Sequence, residues 1–271
     1  MARHMHVRQV FGERIMLKYI SNERIFYAAG VAGFGVMGLA FGDFALQLQP
    51  VPENLMLRTP LAYACALLLM LGGGATLTDR WARIGFTALG LVFAAWALLF
   101  TPFIRAAPLS VGSWLSFAEI ASLSIAAWMA AHQMGAGRKP AIFRALRMAF
   151  GVCAVIFGLS HFAFPEVTAN FVPKYFMAPY FWAYATGLGH IGAGVALISG
   201  ILVRLGTRLW ALMMGGFALF VQLPPVIADP TSHSGWMLFL ATTTLAGAAW
   251  LVHGVLGRPA RAPQFTGARD R

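Results

Sequence analysis

Arg138-Lys139-Pro140-Ala141-Ile142-Phe143-Arg144-Ala145-Leu146-Arg147 runs directly into Met148-Ala149-Phe150-Gly151-Val152-Cys153-Ala154-Val155-Ile156-Phe157-Gly158-Leu159-Ser160-His161-Phe162-Ala163-Phe164. Four cations are followed by an apolar run with no Asp, Glu, Lys or Arg. That run is long enough for a helix to cross the roughly 30 Å hydrocarbon core of a bilayer. Seven further apolar runs flank it, two of them holding a single carboxylate (Asp43 and Glu119), giving apolar spans at 25–47, 60–77, 84–104, 114–131, 148–164, 181–202, 209–228 and 236–256. The chain is 59% hydrophobic and 11% charged, where a soluble domain is roughly 25% charged. The expected fold is an all-α integral membrane protein of eight transmembrane helices.

The cations orient these spans. Arg3, Arg8, Arg14, Lys18 and Arg24 precede the first, and Arg80 and Arg83 lie in the second gap. Arg138, Lys139, Arg144 and Arg147 lie in the fourth gap, Arg204 and Arg208 in the sixth, and Arg258, Arg261, Arg269 and Arg271 in the tail. The opposite side holds only Arg58, Arg105 and Lys174. Cytoplasmic loops carry the Lys/Arg excess, so both termini are expected in the cytoplasm of a bacterial inner (plasma) membrane. Trp81, Trp114, Trp128, Trp182, Trp210, Trp236 and Trp250 fall near span ends, as an aromatic belt requires. The net charge of +11 is thereby accounted for as a topology signal that calls for anionic lipid head groups and for no nucleic acid. Residues 1–24 set Val7, Phe11 and Ile15 at four-residue spacing among cations, which suits either a helix on the membrane surface or a frayed basic tail. The first span is longer than the apolar core of a cleaved signal peptide.

The two halves repeat. Asp43-Phe44-Ala45 falls on His161-Phe162-Ala163 at an offset of 118, and Pro102, Pro108 and Trp114 fall on Pro224, Pro230 and Trp236 at 122. Four spans have even parity, so both copies would point the same way, related by an axis along the membrane normal. The expected layout is a basic segment 1–24, a four-helix unit 25–131, a basic linker 132–147, a second four-helix unit 148–256 and a basic tail 257–271: two tandem parallel-repeat bundles.

The second unit contains Gly158-Leu159-Ser160-His161-Phe162, Phe164-Pro165-Glu166, Val172-Pro173 and Phe181-Trp182-Ala183-Tyr184-Ala185-Thr186-Gly187, leading to His190-Ile191-Gly192-Ala193-Gly194. These residues resemble the DoxX-like family of four-helix bacterial membrane proteins, over roughly 150–256. The first unit resembles it loosely and lacks His at the two matching places. The resemblance implies a membrane redox setting, as in the small subunit of thiosulfate:quinone oxidoreductase or a scaffold for thiol-stress enzymes. It therefore implies a possible quinone and a soluble redox partner.

Ionisable groups inside a membrane are costly and mark functional sites. Asp43 and His161 sit near the outer ends of spans one and five, Glu119 five residues into span four, Gln222 inside the outer end of span seven, and His190 near mid-membrane in span six. All five occupy the outer half or the midplane, which points to a polar cavity opening outward. A His with a nearby carboxylate can move protons near neutral pH. The same histidines could instead hydrogen-bond between helices to fix packing. No two of these groups share a metal-binding helical spacing, so no metal site is expected. The loop 165–180, with Pro165, Pro173 and Pro179 and with Lys174 and Tyr175, cannot run as one helix. It is read as a lid over the cavity or as an aromatic-anchored connector. Pro224-Pro225 should kink or end span seven.

Other matches fail on context. Gly33-x-Gly35-x-x-Gly38 and Gly187-x-Gly189-x-x-Gly192 fit a dinucleotide fingerprint but lie within spans and follow no strand. Gly38-x-x-x-Gly42 and Gly189-x-x-x-Ala193 read as helix contact faces. Cys65 and Cys153 lie at depths too different for a disulfide and read as small buried residues. The chain has no nucleotide-binding loop, HExxH helix or nucleophile triad, so autonomous hydrolysis is not expected. The classes left are a membrane subunit of a quinone-linked redox system, a small-solute transporter, and a scaffold without its own chemistry.

Overall fold

The glycines dictate which helices meet. In a bilayer no hydrophobic force drives one apolar helix onto another, so close backbone approach over small residues has to do so. The computed structural model describes residues 23–45, 48–135 and 139–257. Within these, eight helices are long and apolar enough to cross a membrane. They are α1 (Glu23–Phe41), α2 (Arg58–Thr76), α3 (Ala82–Leu98) continued after a break by α4 (Thr101–Ala106), and α5 (Val111–Met134). The second half has α6 (Pro140–Ala163), the short α7 (Pro165–Phe171), α8 (Pro179–Ser199), then α9 (Val203–Gly216), and last α11 (His233–Gly257). Between α9 and α11, a π-turn (Phe217–Gln222) and α10 (Leu223–Ala228) complete span seven. The expected surface helix or tail before residue 23 and the tail beyond 257 lie outside the described residues.

Among helices α2 to α11, the pairing of α6 with α8 is the most extensive. Gly151 and Gly158 on α6 face Gly194 and Gly187 on α8. A Cβ on Gly194 would stand 2.6 Å from the Gly151 carbonyl oxygen, and one on Gly158 would stand 2.7 Å from that of Gly187. Any side chain at these points would hold the backbones apart. The same device joins α1 to its neighbours. Gly35 abuts the Ala66 carbonyl of α2, and Gly247 of α11 abuts the backbone of Tyr27. Gly38 and Gly189 also sit in helix contacts, against Ala66 and Met213 respectively.

Helix ends follow local chemistry more closely than hydropathy. α6 starts at Pro140, eight residues before the apolar run, because proline is favoured in a first turn where its missing N–H costs nothing. The cations of 140–147 therefore ride on helix. α1 ends at Phe41 and does not reach 47, because Gly42 (φ +66°) terminates it with its N–H on the Gly38 carbonyl. Span seven begins at Val203, six residues earlier than hydropathy suggests. Proline neither ends nor breaks that span: it continues through the π-turn to Ala228.

Helix packing pairs α1 with α2 and α11, α2 with α3, α3 with α5, α5 with α6 and α11, α6 with α8, α8 with α9, and α9 with α11. The outer-loop prolines and tryptophans also repeat a contact. The Trp114 indole donates to the Pro108 carbonyl at 2.8 Å, and the Trp236 indole donates to the Pro230 carbonyl at 2.9 Å. Each indole also meets a phenylalanine three residues on, Phe117 or Phe239, edge to face.

Two glycine substitutions separate close approach from mere helical smallness. Gly194→Val should lower stability by about 2–3 kcal/mol, the upper range for overpacking, since the new Cβ meets backbone. Gly192→Val, where a Cβ meets nothing within 4 Å, should change it by less than about 0.5 kcal/mol. Thermal unfolding in detergent measures both, and equal losses would count against the α6–α8 packing.

Candidate functional site

The glycine contact brings two histidines together. His161 lies three residues beyond Gly158, and His190 lies between Gly187 and Gly194, so the close approach of α6 and α8 sets their rings 5.2 Å apart. They form the polar end of a cavity of about 640 Å3, within the range of about 300–1,000 Å3 usual for small-molecule sites. Glu119 reaches the same cavity from α5, and Gln222 reaches it from the end of the π-turn. Most of the remaining wall is apolar or aromatic, including Phe157, Trp182, Met213, Met214, Phe217 and Leu245.

Each histidine is held on its far side. The His161 Nδ1 is 2.9 Å from the Ala183 carbonyl oxygen and 3.1 Å from the Thr186 hydroxyl. That hydroxyl donates to the Trp182 carbonyl at 2.7 Å. His190 is buried, and its Nδ1 accepts from the Trp210 indole N–H at 2.8 Å. Phe157 meets the His190 ring edge to face, at 5.7 Å between centroids. Among the described residues neither Nε2 has a hydrogen-bond partner, and neither is a sealed, unpaired atom; both rings line the cavity. The Glu119 carboxylate likewise has no ion pair among the described residues.

Sequence reading assigned Asp43 to this constellation, but the structure places it elsewhere. The Asp43 carboxylate accepts from Arg58 at 2.8–2.9 Å. Arg58 also donates to the Val51 and Pro52 carbonyls, which orders the loop after α1. Asp43 lines a separate recess of about 10 Å3 in the first half, filled by Phe34, Leu48, Leu69 and Trp96. An available arginine captured the aspartate, and large side chains closed the space around it.

The segment 165–178 roofs the cavity. Pro165 seeds α7, whose Val167, Thr168 and Phe171 line the wall together with Val172, Pro173 and Phe176. Lys174 and Tyr175 do not line it. Tyr175 has another role: its hydroxyl donates to the Phe220 carbonyl at 2.6 Å. In a regular helix that carbonyl would accept from residue 224, and in a π-turn from residue 225. Both are prolines without an N–H. Tyr175 therefore satisfies a carbonyl that Pro224-Pro225 orphan, and so ties the roof to span seven.

Trp210 is the residue that sequence reading misplaced. It counted as an interfacial tryptophan because hydropathy starts span seven at 209. With α9 beginning at Val203, Trp210 lies two turns inside and is buried. The available signal was the seven-residue, two-turn spacing of Val203, Trp210 and Phe217 on one helix face.

The fold and the cavity define a polytopic helical membrane protein with a sizeable pocket in its second half. Residues 142–223 match the family model described as DoxX, so this stretch is similar to that family. It supplies every wall of the cavity except those from α5 and α11. No curated protein and no solved structure matches the chain.

Removing the roof tether should open the cavity without unfolding the protein. Tyr175→Phe, with Ser160→Cys as reporter in a background lacking Cys65 and Cys153, should react severalfold faster with a hydrophilic thiol reagent. The stability loss should stay within about 1.5 kcal/mol, the range of one hydrogen bond. An unchanged labelling rate would mean that the tether does not hold the roof.

Proposed function

We propose that this protein is a membrane subunit of a quinone-linked redox system and that its DoxX-like domain holds the quinone head group. The observation that carries the reading is the cavity itself: an apolar, aromatic chamber with the His161–His190 pair and Glu119 in its lining. Bound quinone would supply a two-electron, two-proton carrier, with a soluble partner as the source or acceptor of electrons. The chain's own residues do the rest. The two histidines face the oxygen-bearing end of the head group, Glu119 supplies a carboxyl in the same chamber that can hold or release a proton, and Phe157 and Phe217 exclude water. Neither cysteine belongs to this chemistry: both are free, and only Cys65 is more than marginally accessible. Among the described residues no group of His, Cys, Asp and Glu is arranged to hold a metal ion.

The cation distribution supports an inner-membrane protein with both termini in the cytoplasm. The α7 roof then faces the outer side, and the Arg-rich ends of α6 and α9 meet anionic lipid. We also read the two halves as copies. The indole-to-proline hydrogen bonds at Trp114 and Trp236 support this, as do the pairings of α2 with α3 and α3 with α5, which α8 with α9 and α9 with α11 repeat. On that reading the second copy kept a cavity and the first filled its own around Asp43. A transporter working by repeat rocking would place its site between the copies. Here the pocket lies within one copy, with α5 alone reaching in from the other, which disfavours transport.

Protein purified from native membrane in mild detergent should carry quinone near one per chain in its organic extract. The folded double variant His161→Ala, His190→Ala should lose it. Ordinary phospholipid in both samples would instead favour a scaffold, with the histidines serving packing.

A further inference from the structure

The partners behind the two histidines differ in kind. An indole nitrogen can only donate. The Trp210 bond to His190 Nδ1 therefore survives only with that nitrogen unprotonated, and the ring proton sits on Nε2. A backbone carbonyl can only accept. The Ala183 bond therefore requires a proton on His161 Nδ1, which leaves its Nε2 as a bare acceptor. The Thr186 hydroxyl agrees, since its own proton points to the Trp182 and Ala183 carbonyls, which leaves its oxygen to accept from His161. The cavity thus presents one N–H donor and one nitrogen acceptor from adjacent rings, and neither is used within the described protein.

We infer that His190 and His161 form a mixed donor–acceptor pair built to hold a single ligand hydroxyl, and that within a quinone couple this selects the reduced, hydroxyl-bearing form. A hydroxyl oxygen accepts from His190 Nε2–H while its proton goes to His161 Nε2. A quinone carbonyl satisfies His190 but leaves the buried His161 nitrogen unpaired. Trp210 is a positioning residue: it touches no ligand and sets which nitrogen of His190 carries the proton. The inference rests on the quinone reading above and adds its direction.

The test uses full-length protein in nanodiscs, stripped of endogenous quinone and titrated without oxygen. The probes are a decyl-substituted benzoquinone and its hydroquinone. The hydroquinone should bind about tenfold more tightly, the usual consequence of leaving one buried acceptor unpaired. In His161→Phe that preference should vanish, the hydroquinone then binding no more tightly than the benzoquinone, because the acceptor is gone. Independently of binding, 15N-histidine spectra should show His190 protonated at Nε2 and His161 at Nδ1. Trp210→Phe should turn the His190 signal into a tautomer mixture while the His161 signal stays. Equal affinities for both forms, or the opposite tautomers, overturn this inference and leave the quinone reading standing. Binding of neither form overturns both.

Discussion

Everything at the cavity depends on how closely α6 and α8 approach. Glycine at 151, 158, 187 and 194 lets two backbones meet where a side chain would stand 2.6–3.3 Å from a carbonyl oxygen. In lipid this contact is among the few sources of helix–helix affinity, and it has a geometric consequence. Two helices packed this tightly bring residues just beyond the contact into ring-to-ring distance. His161 and His190 are such residues. The packing face and the site are one device, so the alternative of structural or functional histidines is not a clean division. The Nδ1 atoms serve structure and the Nε2 atoms remain for a ligand.

The other half of the device is the treatment of backbone polar groups at membrane depth. A carbonyl without a donor is costly in hydrocarbon, and Pro224-Pro225 create such carbonyls beside the cavity. The chain answers with a π-turn and with the Tyr175 hydroxyl, and in doing so fastens the roof over the pocket. π-turns recur at functional sites because they turn side chains that a regular helix would aim elsewhere. Here Phe217 and Gln222, the first and last residues of the turn, both face the cavity.

Much of this was legible in the sequence. The eight spans follow from runs almost without charge, and the grouping of Glu119, His161, His190 and Gln222 follows from the cost of polar groups in lipid. Depth alone, however, does not give azimuth. Asp43 has the right depth but faces Arg58 across its own loop, a pairing that hydropathy cannot rank against a cavity. Trp210 was hidden by an error of six residues in the start of span seven, where Arg204 and Arg208 mask two turns of helix. Tyr175 read as part of a lid, yet its partner is a backbone carbonyl whose lack of a donor becomes visible only when the prolines are counted against the helical ladder. Boundaries set by caps and prolines, and pairings set by rotation about the helix axis, are the parts that apolar runs leave unspecified.

The most direct measurement is photolabelling of membranes with an azido-quinone, followed by peptide mass spectrometry. The account predicts quinone-protectable label confined to the cavity wall, in residues 157–190 and 213–222 and the facing 115–119 and 238–245. Label spread over the lipid-facing helices and unaffected by excess quinone, or label concentrated in the first half around Asp43, would contradict it.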